Sequence, residues 1–274
     1  MAIESAVRYH YVSGGSSEGA ALVASVDAPS GPQTLAMVLK GIMGGRGGFV
    51  PASIALRAGM EALEAAKTQA EVDPKSALSG LLREAHEHML EVPKRRSVYG
   101  SVGAIIAAGW ATEQCIALAH SGDCRIYRYR KEDGLVTLTV DHSLLEELKR
   151  ADHAAWKEVA EDPMYKDVLT RCLGFEYSSA PPGSEPWDMQ VHKPEMGDLY
   201  IFGSKYLSMP GPSTLEAPSL DAMLDAFMDI QVRESAVALL RWGNHELGPP
   251  GIQHEGVDID TFDLETMRCS WEKG

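Results

Sequence analysis

The sequence predicts an α/β protein of the α+β type, with antiparallel strands in its sheets and helices segregated from them. Apolar segments are grouped as strands, two helices, strands, further helices and a closing strand. The strands are short and are separated by turns rich in Gly and Ser. No internal repeat or linker-like tract divides the chain, so residues 1–274 are expected to form a single domain.

The composition excludes several classes of function. Hydrophobic residues make up 45% of the 274, which is enough for a sizeable core. A formal net charge of -14 opposes general nucleic-acid binding, because phosphate backbones attract positive surfaces. The N-terminus has no signal-peptide pattern, and no apolar run approaches the roughly 20 residues that span a bilayer. Four scattered cysteines form no metal or disulfide pattern, so we expect a cytoplasmic protein without membrane contact.

The N-terminal third is predicted to contain three strands and two helices. Residues 1–13 and 19–27 have strand character around a Gly/Ser turn, and the apolar run 35–39 ends in a glycine cluster, residues 41–48. The first helix carries an apolar stripe at helical spacing that includes Ile54, Leu56, Ala58, Met60, Ala62, Leu63 and Ala65. The second begins at Asp73-Pro74, a capping residue followed by proline in the first turn.

The remainder is predicted to be mostly strands with two helical segments. Residues 101–109 are almost entirely apolar, as in a strand that is buried on both faces. We expect a hairpin of residues 114–120 and 124–130 around the turn Ser121-Gly122-Asp123. The other predicted elements are strands at 135–140, 199–202 and 257–264, helices at 143–160 and 220–240, and a loop at 181–183.

Five short segments form a recognisable series in the middle of the chain. They are Gly100-Ser101-Val102-Gly103-Ala104, His120-Ser121-Gly122-Asp123-Cys124-Arg125-Ile126-Tyr127, Leu138-Thr139-Val140-Asp141-His142-Ser143-Leu144, Val168-Leu169-Thr170-Arg171-Cys172-Leu173-Gly174 and Gly197-Asp198. In this order they resemble the motifs of the metal-dependent serine/threonine protein phosphatases of type 2C. The resemblance covers residues 20–265 and implies two antiparallel sheets stacked as a sandwich, with helices on both sides.

Active members of that family hold a binuclear Mg²⁺ or Mn²⁺ centre at one end of the sandwich, and this chain lacks most of its acids. Hard divalent ions require oxygen ligands, and two neighbouring ions require several carboxylates. Where the early acidic motif is expected, Glu18 is the only acid. The aspartate of the glycine-rich motif falls on Gly41 or Lys40, depending on the alignment, and Arg46 replaces the histidine of that motif.

The later motifs also lack acids that the family has. The aspartate of the S-D-G-L motif aligns with Lys205, and the terminal motif survives at best as Asp258-Ile259-Asp260-Thr261. Asp123 remains, and its counterpart in active relatives lies near the metal site. The resemblance therefore implies no catalytic residues, no metal and no other cofactor, with Asp123 and Asp258 as residual acids should a metal bind.

Three interpretations of Lys205 stay open at this point. Its ammonium can replace the metal as a counter-charge that pairs with Asp123 or Asp258. It can join Lys40 and Arg46 in an anion or partner site, aided by the N–H groups of the glycine cluster. It can also be a solvated lysine without a role.

The sequence thus favours a pseudophosphatase, a non-catalytic signalling protein that regulates or scaffolds others through protein–protein contacts. The expected partners are proteins, a kinase or a phosphoprotein among them. One alternative is an active Mg²⁺- or Mn²⁺-dependent phosphatase whose site uses Asp123, Asp258 and Glu18. Another is a module that senses phosphate or phosphopeptides.

Overall fold

A computed structural model describes residues 2–10, 18–43, 48–95, 101–162, 164–165, 167–176, 184–231, 233–243, 251–256, 262–263 and 268–269. The strands are β1 (Ala2–His10), β2 (Gly19–Ala28), β3 (Gly31–Met43), β4 (Val102–Ala111), β5 (Ile116–Ser121), β6 (Arg125–Arg130), β7 (Gly134–Thr137), β8 (Asp188–His192), β9 (Leu199–Gly203), β10 (Ser235–Gly243), β11 (Ile252–Gly256), β12 (Phe262–Asp263) and β13 (Arg268–Cys269). The helices are α1 (Phe49–Ala66), α2 (Pro74–Arg95), α3 (Leu144–Arg150), α4 (Trp156–Glu161), α5 (Pro212–Leu215) and α6 (Leu220–Asp229).

Two antiparallel sheets form a sandwich. One has the strand order β1-β10-β9-β6-β7, and the other has the order β11-β2-β3-β4-β5-β8. Buried side chains from both sheets meet in a shared core, among them Val38, Leu118, Ile126 and Phe202. Strands β12 and β13 pair separately.

Helices cover the outer faces of both sheets, which confirms the predicted fold class. The six-stranded sheet packs against α1 and α2, and the five-stranded sheet packs against α6. In β3, Leu35, Met37 and Leu39 face α1 and α2, whereas Ala36 and Val38 face the other sheet. Because both faces are buried, the strand has a continuous apolar sequence without alternation. Among the described residues, no helix is long and apolar enough to cross a membrane.

The predicted helix over residues 220–240 is wrong in its second half. Helix α6 ends at Asp229, and β10 follows as an inner strand between β1 and β9. All but one of the residues of β10 are buried. A fully buried strand has the same apolar run as a buried helix, so periodicity alone does not separate them.

The predicted hairpin of residues 114–120 and 124–130 is also wrong. Strand β5 lies in the six-stranded sheet and β6 in the five-stranded sheet, so the turn between them carries the chain across the sandwich. The predicted helix over 143–160 is divided into α3 and α4, with Asp152 at a positive φ of 49° between them. Most of the predicted strand 257–264 lies outside the described residues.

Candidate functional site

The turn between β5 and β6 is the centre of the candidate site. Gly122 adopts a φ of +82°, and a Cβ at this position would lie 2.1 Å from Cγ2 of Ile105. Only glycine accepts both this backbone conformation and this close approach. The turn therefore fixes the next residue, Asp123, with 5% of its surface exposed, at the end of the sandwich.

Lys205 lies between two carboxylates. Its Nζ is 2.9 Å from Oδ2 of Asp123 and 2.7 Å from Oδ1 of Asp167. The side chain of Asp123 is 7% exposed, that of Lys205 is 19% exposed, and that of Asp167 is 47% exposed. These three residues are called the lysine cluster below. The counter-charge interpretation named Asp123 or Asp258 as the partner of Lys205, and the structure has the pair with Asp123. Asp167 is an additional partner that the sequence did not indicate.

Lys205 is charged in this position. Burial acts to lower the pKa of its ammonium, but hydrogen bonds to Asp167 and Asp123 outweigh burial and raise that pKa. The other oxygen of Asp123, Oδ1, is buried and has no hydrogen-bond partner in the described part of the chain. Lys205 is thus a counter-charge placed beside a nearly buried carboxylate.

The segment after β9 holds Lys205 in place. The Ser204 hydroxyl accepts a hydrogen bond from the backbone N–H of Ala236 on β10, at 3.2 Å. The next side chain, Tyr206, lies with its ring centre 4.5 Å from the guanidinium of Arg233 and 5.7 Å from Lys205 Nζ. These contacts tie the chain to β10 on one side and cover the lysine with an aromatic ring on the other.

The other predicted anion-site residues are not part of the lysine cluster. Lys40 Nζ is 3.8 Å from Oε2 of Glu234, whose other oxygen accepts a hydrogen bond from the Tyr9 hydroxyl. Arg46 and Asp258 lie outside the described residues. Lys40 and Lys205 both have carboxylate partners already, so an anion would have to displace these partners.

The acid named for the alternative metal site lies beside the glycine cluster. The carbonyl of Glu18 accepts a hydrogen bond from the N–H of Gly41 at 2.7 Å, and its side chain packs against Gly48. The position that aligns with an aspartate is therefore occupied by Gly41, which lies beside Glu18, or by Lys40, which pairs with Glu234. With Asp123 already paired with Lys205, the described residues do not fit a binuclear Mg²⁺ or Mn²⁺ centre.

A second polar cluster, which sequence reasoning missed, lies on the other side of the turn. His120, His142 and Asp188 each offer a potential metal-ligand atom, and these atoms lie within 4.8 Å of one another. Both imidazoles are buried, with ring centres 4.3 Å apart, and Asp188 is exposed. These residues are called the histidine cluster below. They are far apart in the sequence and β8, which carries Asp188, was not predicted, so no local motif could have indicated them.

Hydrogen bonds determine the tautomer of each histidine. The backbone N–H of Gly122 donates to Nδ1 of His142 at 3.2 Å, so Nε2 of His142 carries the proton and donates to Asp188 at 3.1 Å. The Nε2 atom of His120 donates to the carbonyl of Val140 at 2.9 Å. Burial and the neighbouring His142 lower the pKa of His120 to about 4. This shift favours the neutral form of His120, and hydrogen bonds to His142 and Arg171 lower the pKa of Asp188.

These bonds limit how a metal could bind here. Two imidazoles and a carboxylate are a common ligand set for transition metals. A metal on Nε2 of His142 would move the proton to Nδ1, where it would meet the N–H of Gly122. Ligand histidines normally donate from their second nitrogen to an acceptor, which is the opposite arrangement. The group is a possible metal site by composition, but its hydrogen bonds are those of a closed polar cluster.

Comparisons with known proteins identify the fold. Neither a protein-family model nor a curated protein sequence matches the chain. Among solved structures, a serine/threonine phosphatase of S. agalactiae matches with a TM-score of 0.67 and 21% identity, over 88% of this chain and 99% of that one. The phosphatase Stp1 of Staphylococcus aureus matches with a TM-score of 0.70 and 14% identity, over 89% and 96%.

A further match is the catalytic domain of the phosphatase PstP, solved in complex with 2 manganese ions. Its TM-score is 0.64 at 15% identity, over 93% of this chain and 99% of that one. The chain therefore has the type 2C phosphatase fold over most of its length.

Proposed function

We propose that the protein is a non-catalytic member of the type 2C phosphatase family, a pseudophosphatase that works in the cytoplasm through protein–protein contacts. The observation that carries the proposal is the Lys205 ammonium, which bonds to Asp123 and Asp167 and which aligns in sequence with the aspartate of the S-D-G-L motif. A divalent ion beside it would face a repulsion of roughly 4 kcal/mol per pair of unit charges at 4 Å, doubled by its second charge.

The surroundings of the lysine cluster support contacts with proteins. Exposed apolar and aromatic side chains flank Asp167 and Lys205 in the chain, namely Met164, Tyr165, Val168 and Tyr206. Tyr and Met are enriched in protein interfaces, where they supply contact area. A kinase or a phosphoprotein is the class of partner that this fold suggests.

Metal titration and a phosphatase assay test the proposal. We expect calorimetry with Mn²⁺ to show no stoichiometric binding and an aryl phosphate to be hydrolysed no faster than in buffer. The S. agalactiae phosphatase, assayed in parallel, is the positive control. Binding of two ions together with chelator-sensitive turnover would overturn the proposal.

An active phosphatase with an atypical metal site is the second candidate. Two observations favour it, namely the unpaired Oδ1 of Asp123 and the possible ligand set of the histidine cluster. Elemental analysis of the purified protein distinguishes the candidates, because an active enzyme with such a site would retain or take up a transition metal. Loss of that metal in His120→Gln would then locate the site.

A further inference from the structure

We infer that His142 is the positioning residue of the lysine cluster: through hydrogen bonds to neighbouring residues it holds both carboxylates around Lys205. The inference rests on the proposed function, in which the lysine cluster replaces a metal centre. It assigns to the histidine cluster the role of supporting that replacement.

The first connection runs from His142 to Asp123. The backbone N–H of His142 donates to the carbonyl of Gly122 at 2.9 Å, and the N–H of Gly122 donates to Nδ1 of the same histidine at 3.2 Å. Both backbone polar groups of Gly122 are therefore bound to one residue. Because Asp123 follows directly, these bonds determine where its carboxylate lies.

The second connection runs from His142 to the segment that carries Asp167. The backbone carbonyl of His142 accepts a hydrogen bond from the N–H of Thr170 at 2.9 Å. Its Nε2 donates to Asp188, which binds the guanidinium of Arg171 at 2.6 and 3.2 Å. Thr170 and Arg171 follow Asp167 by three and four residues. The Thr170 bond is to the backbone, so the side chain itself, which is 1% exposed, reaches the segment of Asp167 through Asp188 and Arg171.

The two connections differ in strength. Asp123 is also fixed by the sandwich through its tight turn, whereas Asp167 is half exposed and lies on an irregular segment. Loss of the His142 imidazole should therefore release Asp167 first and leave Lys205 with one partner. The ammonium, now less covered and more weakly paired, should become more reactive.

Lysine acylation measured by mass spectrometry at pH 8 tests the inference, with the exposed Lys193 as internal reference. In His142→Leu, we expect Lys205 acylation relative to Lys193 to rise roughly threefold, the factor for loss of one partly exposed ion pair. In His142→Asn, the side-chain amide oxygen can still accept a hydrogen bond from the backbone N–H of Gly122. That N–H should therefore exchange its hydrogen at close to the wild-type rate. The matched control is His254→Leu, on the exposed edge strand β11, and it should change neither quantity.

Wild-type reactivity of Lys205 in a folded His142→Leu protein would overturn the inference. If that variant does not fold, Asp188→Ala breaks the Nε2 connection at an exposed position, and unchanged Lys205 acylation there would contradict the inference equally. Acylation does not depend on metal content or turnover. A wild-type protein that binds Mn²⁺ and hydrolyses phosphate would therefore disprove the proposed function, without deciding the role of His142.

Discussion

The lysine cluster and the histidine cluster lie on either side of one turn, and they stabilise buried polar groups in different ways. Asp123 places a nearly buried charge in the structure, and a second charge, on Lys205, compensates it. Its neighbour Gly122 donates to Nδ1 of the buried His142, whose ring lies against that of His120. The first cluster therefore depends on opposite charges, and the second depends on burial that favours the neutral form of His120.

The largest effect is expected from reversing the charge in the lysine cluster. Lys205→Asp replaces the cation that pairs with Asp123 and Asp167 by a third carboxylate. Breaking a buried pair in this way costs about 3–5 kcal/mol, most of it from Asp123, because the half-exposed Asp167 is screened by solvent. Urea denaturation at pH 7.5 measures the change in the free energy of unfolding.

Two further variants sharpen this measurement. Lys205→Met keeps the packing of the side-chain stem without the charge. It should lose about 2 kcal/mol, less than Lys205→Asp, because it removes the charged hydrogen bonds without adding a third carboxylate. Lys193→Asp, on an exposed lysine, should stay within about 0.5 kcal/mol of the wild type. If both Lys205 variants were as stable as the wild type, Lys205 would be a solvated lysine without a structural role.

The next effect concerns the turn that the two clusters share. Gly122→Ala adds a methyl group 2.1 Å from Ile105 Cγ2 at a φ of +82°, and should lower the free energy of unfolding by about 2–4 kcal/mol. Gly134→Ala is the matched control, because φ there is +73° but a Cβ would meet no atom within 4 Å. It should lose only about 1 kcal/mol, the cost of the left-handed backbone alone. Equal losses would mean that close packing of the turn is unimportant.

Acid should weaken the histidine cluster before the lysine cluster. The pKa of His120 is about 4 in the folded protein, below its ordinary value of 6.5, so the unfolded chain binds more protons between these values. The stability that His120 contributes is complete above pH 6.5 and is lost as the pH falls towards 4. Between pH 7.5 and pH 5 the loss should be about 2 kcal/mol.

Urea denaturation across this pH range tests that expectation. His120→Gln keeps an N–H donor for the carbonyl of Val140 but does not titrate, so its stability should change less with pH. The lowered pKa of Asp188 affects stability only when the pH falls below 3.8, the ordinary pKa of an aspartate, and that is outside this range. Identical pH profiles for the wild type and His120→Gln would exclude His120 as the cause.

The sequence predicts the fold and part of the lysine cluster, but not the histidine cluster. Ordered motifs and strand-like segments predict the sandwich, and the lysine at the aligned position indicates, as one of three interpretations, a pair with Asp123 or Asp258. The rest depends on three-dimensional contacts. Helix and strand could not be distinguished where β10 is buried on both faces, and the contact of Asp167 with Lys205 joins residues 38 positions apart. The histidine cluster brings together residues from three chain segments, and no spacing of residues in the sequence indicates its hydrogen bonds.

The smallest expected effect is that of a transition metal on the histidine cluster. His142 already accepts from Gly122 through Nδ1, so binding a metal through Nε2 would place two N–H groups against each other. Asp188, the third possible ligand, is bound to Arg171, whose positive charge repels a cation. We therefore expect Zn²⁺ or Co²⁺ at ten times the protein concentration to shift the melting temperature by less than about 1 °C, since a ligand stabilises only when present above its Kd. Co²⁺ should give no visible absorption band of a tetrahedral site. A clear upward shift that His120→Gln abolishes would show that the cluster rearranges to bind metal, and the contrast between a charged cluster and a neutral one would then fail.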